Sequence, residues 1–169
     1  MALSSEILYG LQVRLRPIQQ SDIETLRLWR NQAAIRRWFV YSGIISAEQQ
    51  QIWWEKYAAA SDEVMFMLET LPNNLPIGAV SLYKIIPGSS AEFGRLMIGS
   101  LAAQGQGFAV AAVCLVTEFG FKTFQLNNIY LEVFPDNISA IKVYEKAGFS
   151  KQGDQLSAAG LITMVMKKK

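Results

Sequence analysis

The chain contains no histidine, so the commonest general base, the commonest metal ligand and every Ser-His or Cys-His nucleophile pair are missing. Proton transfer must use carboxylates, tyrosines, backbone groups or water, and no metal is expected. Under that restriction the first residues of chemical interest are Gly105 and Gly107, within "AAQGQGFAVAAVCL" (102–115). A glycine pair at the mouth of an apolar, helix-like run lets several amide N–H groups converge at a helix N-terminus, where the dipole favours negative charge. Phosphate is the natural guest, and a ligand-free strand-to-helix turn is the alternative that local spacing leaves open. A P-loop is excluded because no Lys-Ser/Thr pair follows, and Val110 stands where a dinucleotide fingerprint wants its third glycine. A second group is Asn137, Ile141 and Tyr144, four and three residues apart, which stack along one face if they share a helix. Tyr144 is then either a proton donor or a core tyrosine with a satisfied hydroxyl. Glu92 begins the segment before the glycine loop, where a surface glutamate is the commoner case.

These residues need a scaffold, and hydrophobic periodicity outlines one. "LQVRLRPI" (11–18) alternates as a strand, Val13 and Leu15 on one face and Arg14 and Arg16 on the other, and ends at Pro17. From Ser21 the pattern turns helical, with Ile23, Leu26 and Trp29 or Arg30 on one face behind a Ser21 or Asp22 cap. Ser46 and Gln49 stand at capping-box spacing ahead of a helix over 46–60. Strands "VMFMLET" and "IGAVSLYKI" flank the turn residues of "LPNNLP", and "AEFGRLMIG" (91–99) follows. A helix from about Gln106 to Lys122, strand "NIYLEVF" (128–134), helix "NISAIKVYEKAGF" (137–149) closed by Gly148, and strands near "SKQGDQL" and "LITMVMK" complete the order. The expected fold is α/β in the mixed α+β sense. One domain over residues 1–169 is built on a single central, mostly antiparallel sheet of about seven strands flanked by about four helices.

Composition narrows the function. With 169 residues and 51% hydrophobic content the chain can bury a core, which argues against disorder. The net charge is only +2, and Lys167, Lys168 and Lys169 contribute three of the sixteen basic residues, so nucleic acid is not an expected partner. The first residues have neither the charged start nor the apolar stretch of a signal peptide, and no apolar run approaches the roughly 18 residues of a membrane helix. A cytoplasmic protein without membrane contact is expected. Cys114, the single cysteine, cannot pair internally and reads as a buried packing residue.

In this setting "QGQGFA" (104–109) resembles the Gln/Arg-x-x-Gly-x-Gly/Ala signature of the GCN5-related N-acetyltransferases, the GNAT superfamily, and has the same place between a strand and a long helix. "LEVFPDNISAIKVYEKAGF" is similar to that superfamily's second motif. "LRPIQQSDIETLRLWRN" resembles the opening of the branch that includes ribosomal-protein alanine and aminosugar N-acetyltransferases. The resemblance implies acetyl-CoA as co-substrate, its pyrophosphate cradled by Gln104, Gly105, Gln106, Gly107, Phe108 and Ala109. It also implies a bulge that splays the preceding strand from its neighbour and frees backbone groups of Leu96, Met97 and Ile98 for the pantetheine arm. Asn137 would sit near that arm. Tyr144 would face the thioester sulfur and assist a thiolate whose parent thiol has a pKa of about 8.5, against about 10 for tyrosine. Glu92 lies close to where several members place a catalytic glutamate; Glu55, Glu132 and water relayed to backbone carbonyls are the other routes by which an ammonium acceptor could lose its proton.

The acceptor must be read from the N-terminal third, which holds all four tryptophans. Trp29, Trp38 and Tyr41 could stack on the C–H faces of a sugar while Arg30 and Asn31 bind its polar groups, and core packing competes for the same aromatics. Arg36 and Arg37 could meet a nucleotide diphosphate or simply end a solvated helix. "WRN" followed by "IRRWF" is similar to amino-dideoxysugar N-acetyltransferases of the pseudaminic acid type. This implies a small-molecule amine, a nucleotide-linked aminosugar, as acceptor. A protein N-terminus is the competing substrate and a non-catalytic acyl-CoA sensor the competing class. Edge strands and exposed aromatics are compatible with a homodimer.

Overall fold

The computed structural model describes residues 4–169. Eight strands form one sheet: β1 (Leu8–Tyr9), β2 (Val13–Pro17), β3 (Val64–Thr70), β4 (Leu75–Ile86), β5 (Ser90–Ile98), β6 (Asn128–Val133), β7 (Ser150–Lys151) and β8 (Ile162–Lys167), in the spatial order β1-β2-β3-β4-β5-β6-β8-β7. Every pairing is antiparallel except that of β5 with β6. Five α-helices accompany it: α1 (Ile23–Asn31), α2 (Ala33–Arg36), α3 (Ala47–Ala59), α4 (Phe108–Thr123) and α5 (Ile138–Ala147). The additions to the expected count are β1 and α2, two and four residues long, too short to carry a readable period. The strand expected near "SKQGDQL" shrinks to the two residues of β7, beyond which Gly153 takes a φ of 76°.

The sheet is covered on both sides, and β3 shows why it reads as an unbroken apolar run. Val64, Phe66 and Leu68 face a cluster built with Val113, Val116 and Phe119 of α4, while Met65 and Met67 face Leu26 of α1 and Ile35 of α2. Trp29, Trp53 and Trp54 are half-buried against this second cluster. Arg14 and Arg16 leave β2 on the α1 side, where their Nε atoms each donate to the Glu69 carboxylate at 2.7 Å. Asp22 occupies the N-cap position of α1 without capping it. Its carboxylate instead accepts from the Gln19 N–H at 2.7 Å and from both terminal nitrogens of Arg16. Burial pushes the Asp22 carboxyl up, but these donors outweigh it and hold the pKa below its ordinary value. Ser46 and Gln49 form the reciprocal capping box on α3. Cys114 corrects its sequence reading: it lies on the outer side of α4 and is exposed, because the core side of that helix is filled by Val113, Val116 and Gly120.

Candidate active site

The site begins where two neighbouring strands separate. β5 and β6 pair only through Ser90↔Asn128, Ala91↔Ile129 and Glu92↔Tyr130. Beyond Glu92, β5 continues on β4 alone and β6 on β8 alone, so a wedge opens between them. A bulge steers β5 away: Ala79 and Ser81 of β4 face Met97 and Gly94, so Arg95 and Leu96 stand opposite a single residue, and Arg95 takes a φ of 52°. Gly78 permits the close approach on the β4 side, since a Cβ there would lie 2.2 Å from the Met97 carbonyl oxygen. Leu96, Met97 and Ile98 thus present backbone on a strand edge that β6 no longer covers.

The glycine loop closes the wide end of the wedge. Gly105 and Gly107 adopt φ of 74° and 82°, a left-handed conformation that disfavours side chains. A Cβ at either would meet no protein atom within 4 Å, so the demand for glycine comes from the backbone and from any ligand the loop holds. Gly107 is the N-cap of α4 and supplies no side-chain cap. The first N–H groups of the sixteen-residue helix are therefore free to receive an anion. Gln104 ties the loop to β5 by donating from Nε2 to the Ile98 carbonyl at 3.1 Å. Gln106 departs from its expected place, because its Nε2 turns back to the Ala102 carbonyl and its side chain does not line the cleft.

Loop, wedge and α5 enclose a cleft of about 900 Å³. Leu96, Met97, Ile98, Gln104, Gly105, Gly107, Phe108 and Ala109 all line it, as do Asn137, Tyr144 and Glu92. Asn137 is the N-cap of α5 and accepts from the Ala140 N–H at 3.2 Å; Gly148 ends the same helix with a φ of 112°. The Tyr144 ring is packed between Phe93 and Phe149. Burial pushes its phenol up to about 12, and among the described residues its hydroxyl makes no hydrogen bond, while the residue lines the cleft. Glu92, 8% exposed, accepts from the Tyr83 hydroxyl at 2.9 Å and from the Lys84 ammonium at 2.6 Å. The bond to Glu92 raises the Lys84 pKa. Burial, then the neighbouring Glu92 charge, raises the phenols of Tyr83 and Tyr130. Glu132 lines the cleft as an exposed carboxylate, whereas Glu55 accepts from Gln51 on the outer surface of α3.

A second cavity of about 320 Å³ opens beneath α1 and α3, walled by Phe39, Tyr41, Trp53, Met65 and Met97. It shares Arg30, Phe39, Tyr41, Arg95 and Met97 with the larger cleft, so the two communicate. The Arg30 guanidinium lies 3.6 Å from the Phe39 ring centroid and donates to the Tyr41 carbonyl at 2.5 Å. Trp38 lines the larger cleft beside Phe134. Two expected acceptor residues lie elsewhere. Trp29 packs on Gly99, where a Cβ would fall 2.1 Å from its indole ring, and borders neither space. Asn31 accepts from the Ile45 N–H at 2.8 Å and donates to the Ile45 carbonyl at 2.9 Å, so it pins a loop instead of meeting a ligand. Arg36 likewise donates to the Ser42 carbonyl, and Arg37 lies over the Trp38 ring; neither lines either of these two cavities. Sequence reasoning missed Gln50, Arg95 and the cleft-lining lysines Lys142 and Lys146. The signal for Gln50 was available: with Trp53 and Tyr57 it forms an inward stripe on α3, and it is the polar member of that stripe.

The chain has clear relatives. Residues 12–150 match the family described as Acetyltransferase (GNAT) domain. The chain is 30% identical over 159 residues to a Bacillus subtilis protein named "Probable N-acetyltransferase YjcK", covering 87% of this chain and 85% of the relative. It is 29% identical to the spermidine N(1)-acetyltransferase of Escherichia coli K12, over 84% of this chain and 75% of that one. Among solved structures, the spermidine N-acetyltransferase of Vibrio cholerae in complex with CoA and spermine superposes with a TM-score of 0.81 at 24% identity, covering 92% of this chain and 95% of the other.

Proposed function

Because the chain belongs to the acetyltransferase (GNAT) family, we propose that it is an acetyl-CoA-dependent N-acetyltransferase acting directly on a small-molecule amine, and that the amine is borne by a nucleotide-linked aminosugar. The observation that carries the reading is the single cleft in which a strand wedge, an uncapped helix N-terminus and the unpartnered Tyr144 hydroxyl meet. In it, the amides of residues 107–110 would take the pyrophosphate of CoA, and the open edge of Leu96–Ile98 would pair with the pantetheine amides.

Acetyl transfer is then direct. The acceptor nitrogen attacks the thioester carbonyl, the C–S bond breaks with its electron pair moving to sulfur, and the Tyr144 hydroxyl donates to the departing thiolate. The acceptor's proton passes to Glu92 or to water at the wedge. Cys114 is unsuited to an acetyl-enzyme route, since it lies on the outer side of α4, lines neither cavity, and its thiol is raised by partial desolvation and the nearby Glu118 charge.

The smaller cavity supports the aminosugar reading over a polyamine. Its walls are mostly aromatic and aliphatic with Gln49 and Gln50, and among the described residues its only charged side chains are Arg30 and Arg95. A polycation such as spermidine would meet no carboxylate there. A protein N-terminus is the second reading, favoured by the opening of the larger cleft past Trp38 and Phe134. The test is release of free CoA from acetyl-CoA with a panel of nucleotide aminosugars, polyamines and N-terminal peptides. Turnover confined to the sugars is expected; turnover confined to peptides would replace the acceptor. CoA binding without turnover of any class would replace the enzyme with a sensor.

A further inference from the structure

Gln50 stands in the second turn of α3 with 7% of its surface exposed, lines the 320 Å³ cavity, and makes no side-chain hydrogen bond among the described residues. A buried polar group left without partners costs on the order of 1–3 kcal/mol; the sealed, unpaired Nη1 of Arg30 is such a group beside this cavity, and the Gln50 carboxamide is a neutral polar group among the residues that line it. The cavity's charge is unbalanced in the same direction. Arg95 is neutralised by an ion pair with Glu63. Arg30 has no carboxylate partner; its Nη1 is sealed from solvent without an acceptor, and its single hydrogen bond goes to the Tyr41 carbonyl. Among the described residues, no Asp or Glu lines this cavity.

We infer that Arg30 and the unpartnered Gln50 carboxamide form an oxyanion seat in the smaller cavity, and that the acceptor is held there by a phosphate or carboxylate group. Arg30 supplies charge and a planar pair of donors, and Gln50, on α3, supplies a neutral N–H. Phe39 stacks under the guanidinium and keeps it in place. The inference rests on the acetyl-transfer reading and deepens it, because it says which feature of the acceptor is recognised. It also separates this chain from its polyamine-acetylating relatives, whose acceptors carry the opposite charge.

The experiment is calorimetric titration of the CoA-loaded protein, so that the seat at residues 107–110 is already filled. One arm uses inorganic pyrophosphate and uridine diphosphate; the other uses succinate and N-acetylaspartate. Binding in either arm is expected, and the arm that binds identifies the anion's source. Gln50→Glu preserves size and places a negative charge in the seat, so it should weaken that binding at least roughly tenfold while leaving CoA affinity within about twofold. Arg30→Gln should show a loss of similar size and Arg30→Lys a smaller one. Silence in both arms, binding indifferent to Gln50→Glu, or spermidine binding tighter than any anion would overturn the inference while leaving acetyl transfer standing. Failure of the unmodified protein to bind CoA would instead overturn the acetyl-transfer reading, and this inference with it.

Discussion

Tyr144 lies edge-on to Phe93, with ring centroids 5.7 Å apart and planes at 76°, so the ring is held by packing while the hydroxyl is left to the cleft. Tyr144→Phe keeps the ring and removes only the hydroxyl. If that hydroxyl assists the thiolate, kcat falls by on the order of 10²-fold while KM for acetyl-CoA and the thermal midpoint stay close to their original values. Steady-state assay of CoA release reads both parameters. Unchanged kcat would leave Tyr144 a packing residue.

The same burial predicts an alkaline weakness. The Tyr144 phenol is pushed from 10.0 to about 12 in the folded state. Below pH 10 both folded and unfolded chains keep the proton and the contribution is fully present. Between pH 10 and pH 12 the unfolded phenol ionises first, so stability is lost by up to roughly 2–3 kcal/mol. Urea unfolding at pH 9.5 and pH 11.5 should show a smaller drop for Tyr144→Phe than for the parent chain. Equal drops would mean that other buried phenols, such as Tyr57 and Tyr83, carry the effect.

Gly107→Ala isolates the loop. At φ 82° an added Cβ meets no protein atom, so the fold should lose only the roughly 1–2 kcal/mol of a left-handed alanine. KM for acetyl-CoA should nevertheless rise about tenfold or more if the amides of this turn hold the pyrophosphate. Gly88, at φ 74° with the same open surroundings and remote from both cavities, is the matched control: Gly88→Ala should cost similar stability and leave KM alone. A parallel rise in KM for both variants would refute the cradle.

Much of this arrangement was legible because it is local. Alternation in β2, the Ser46 and Gln49 box, the Gly148 cap and the Asn137–Tyr144 spacing are set by a few consecutive residues, and each appears where the sequence places it. The failures are long-range. Whether Trp29 faces a ligand or the core depends on Gly99, seventy residues away in the chain. Asn31 looks like a binding residue until Ile45 claims both ends of its amide. Asp22 reads as a cap, but Arg16, on a neighbouring strand, captures it first. In each case the local residue type was read correctly and the tertiary partner decided its use.

Glu69 offers a test of the scaffold apart from the chemistry. It is 3% exposed and accepts from two guanidiniums, and it lines neither cavity. Glu69→Ala leaves Arg14 without a carboxylate and Arg16 with Asp22 alone, which should destabilise the fold by on the order of 3 kcal/mol. Glu69→Gln should cost less. Chemical denaturation measures the loss, and kcat per folded molecule should be unchanged in both. A neutral Glu69→Ala would mean that the pair's desolvation offsets its attraction.

Glu92 is the hardest residue to assign, because its oxygens already accept from Tyr83 and Lys84. Each oxygen retains a second lone pair, so those bonds orient the carboxylate without exhausting it, and its place at the apex of the wedge puts it on the wall of the cleft that Tyr144 also lines. Glu92→Gln keeps the shape but cannot take a proton. If Glu92 is the base, kcat/KM at neutral pH falls by on the order of 10²-fold, and the deficit narrows as pH rises, because an acceptor that arrives as free amine no longer needs the base. If Glu92 only positions Tyr83 and Lys84, the deficit is the same at every pH. We expect the narrowing profile; a constant deficit across the pH range would assign deprotonation to water and leave Glu92 as the anchor of its neighbours.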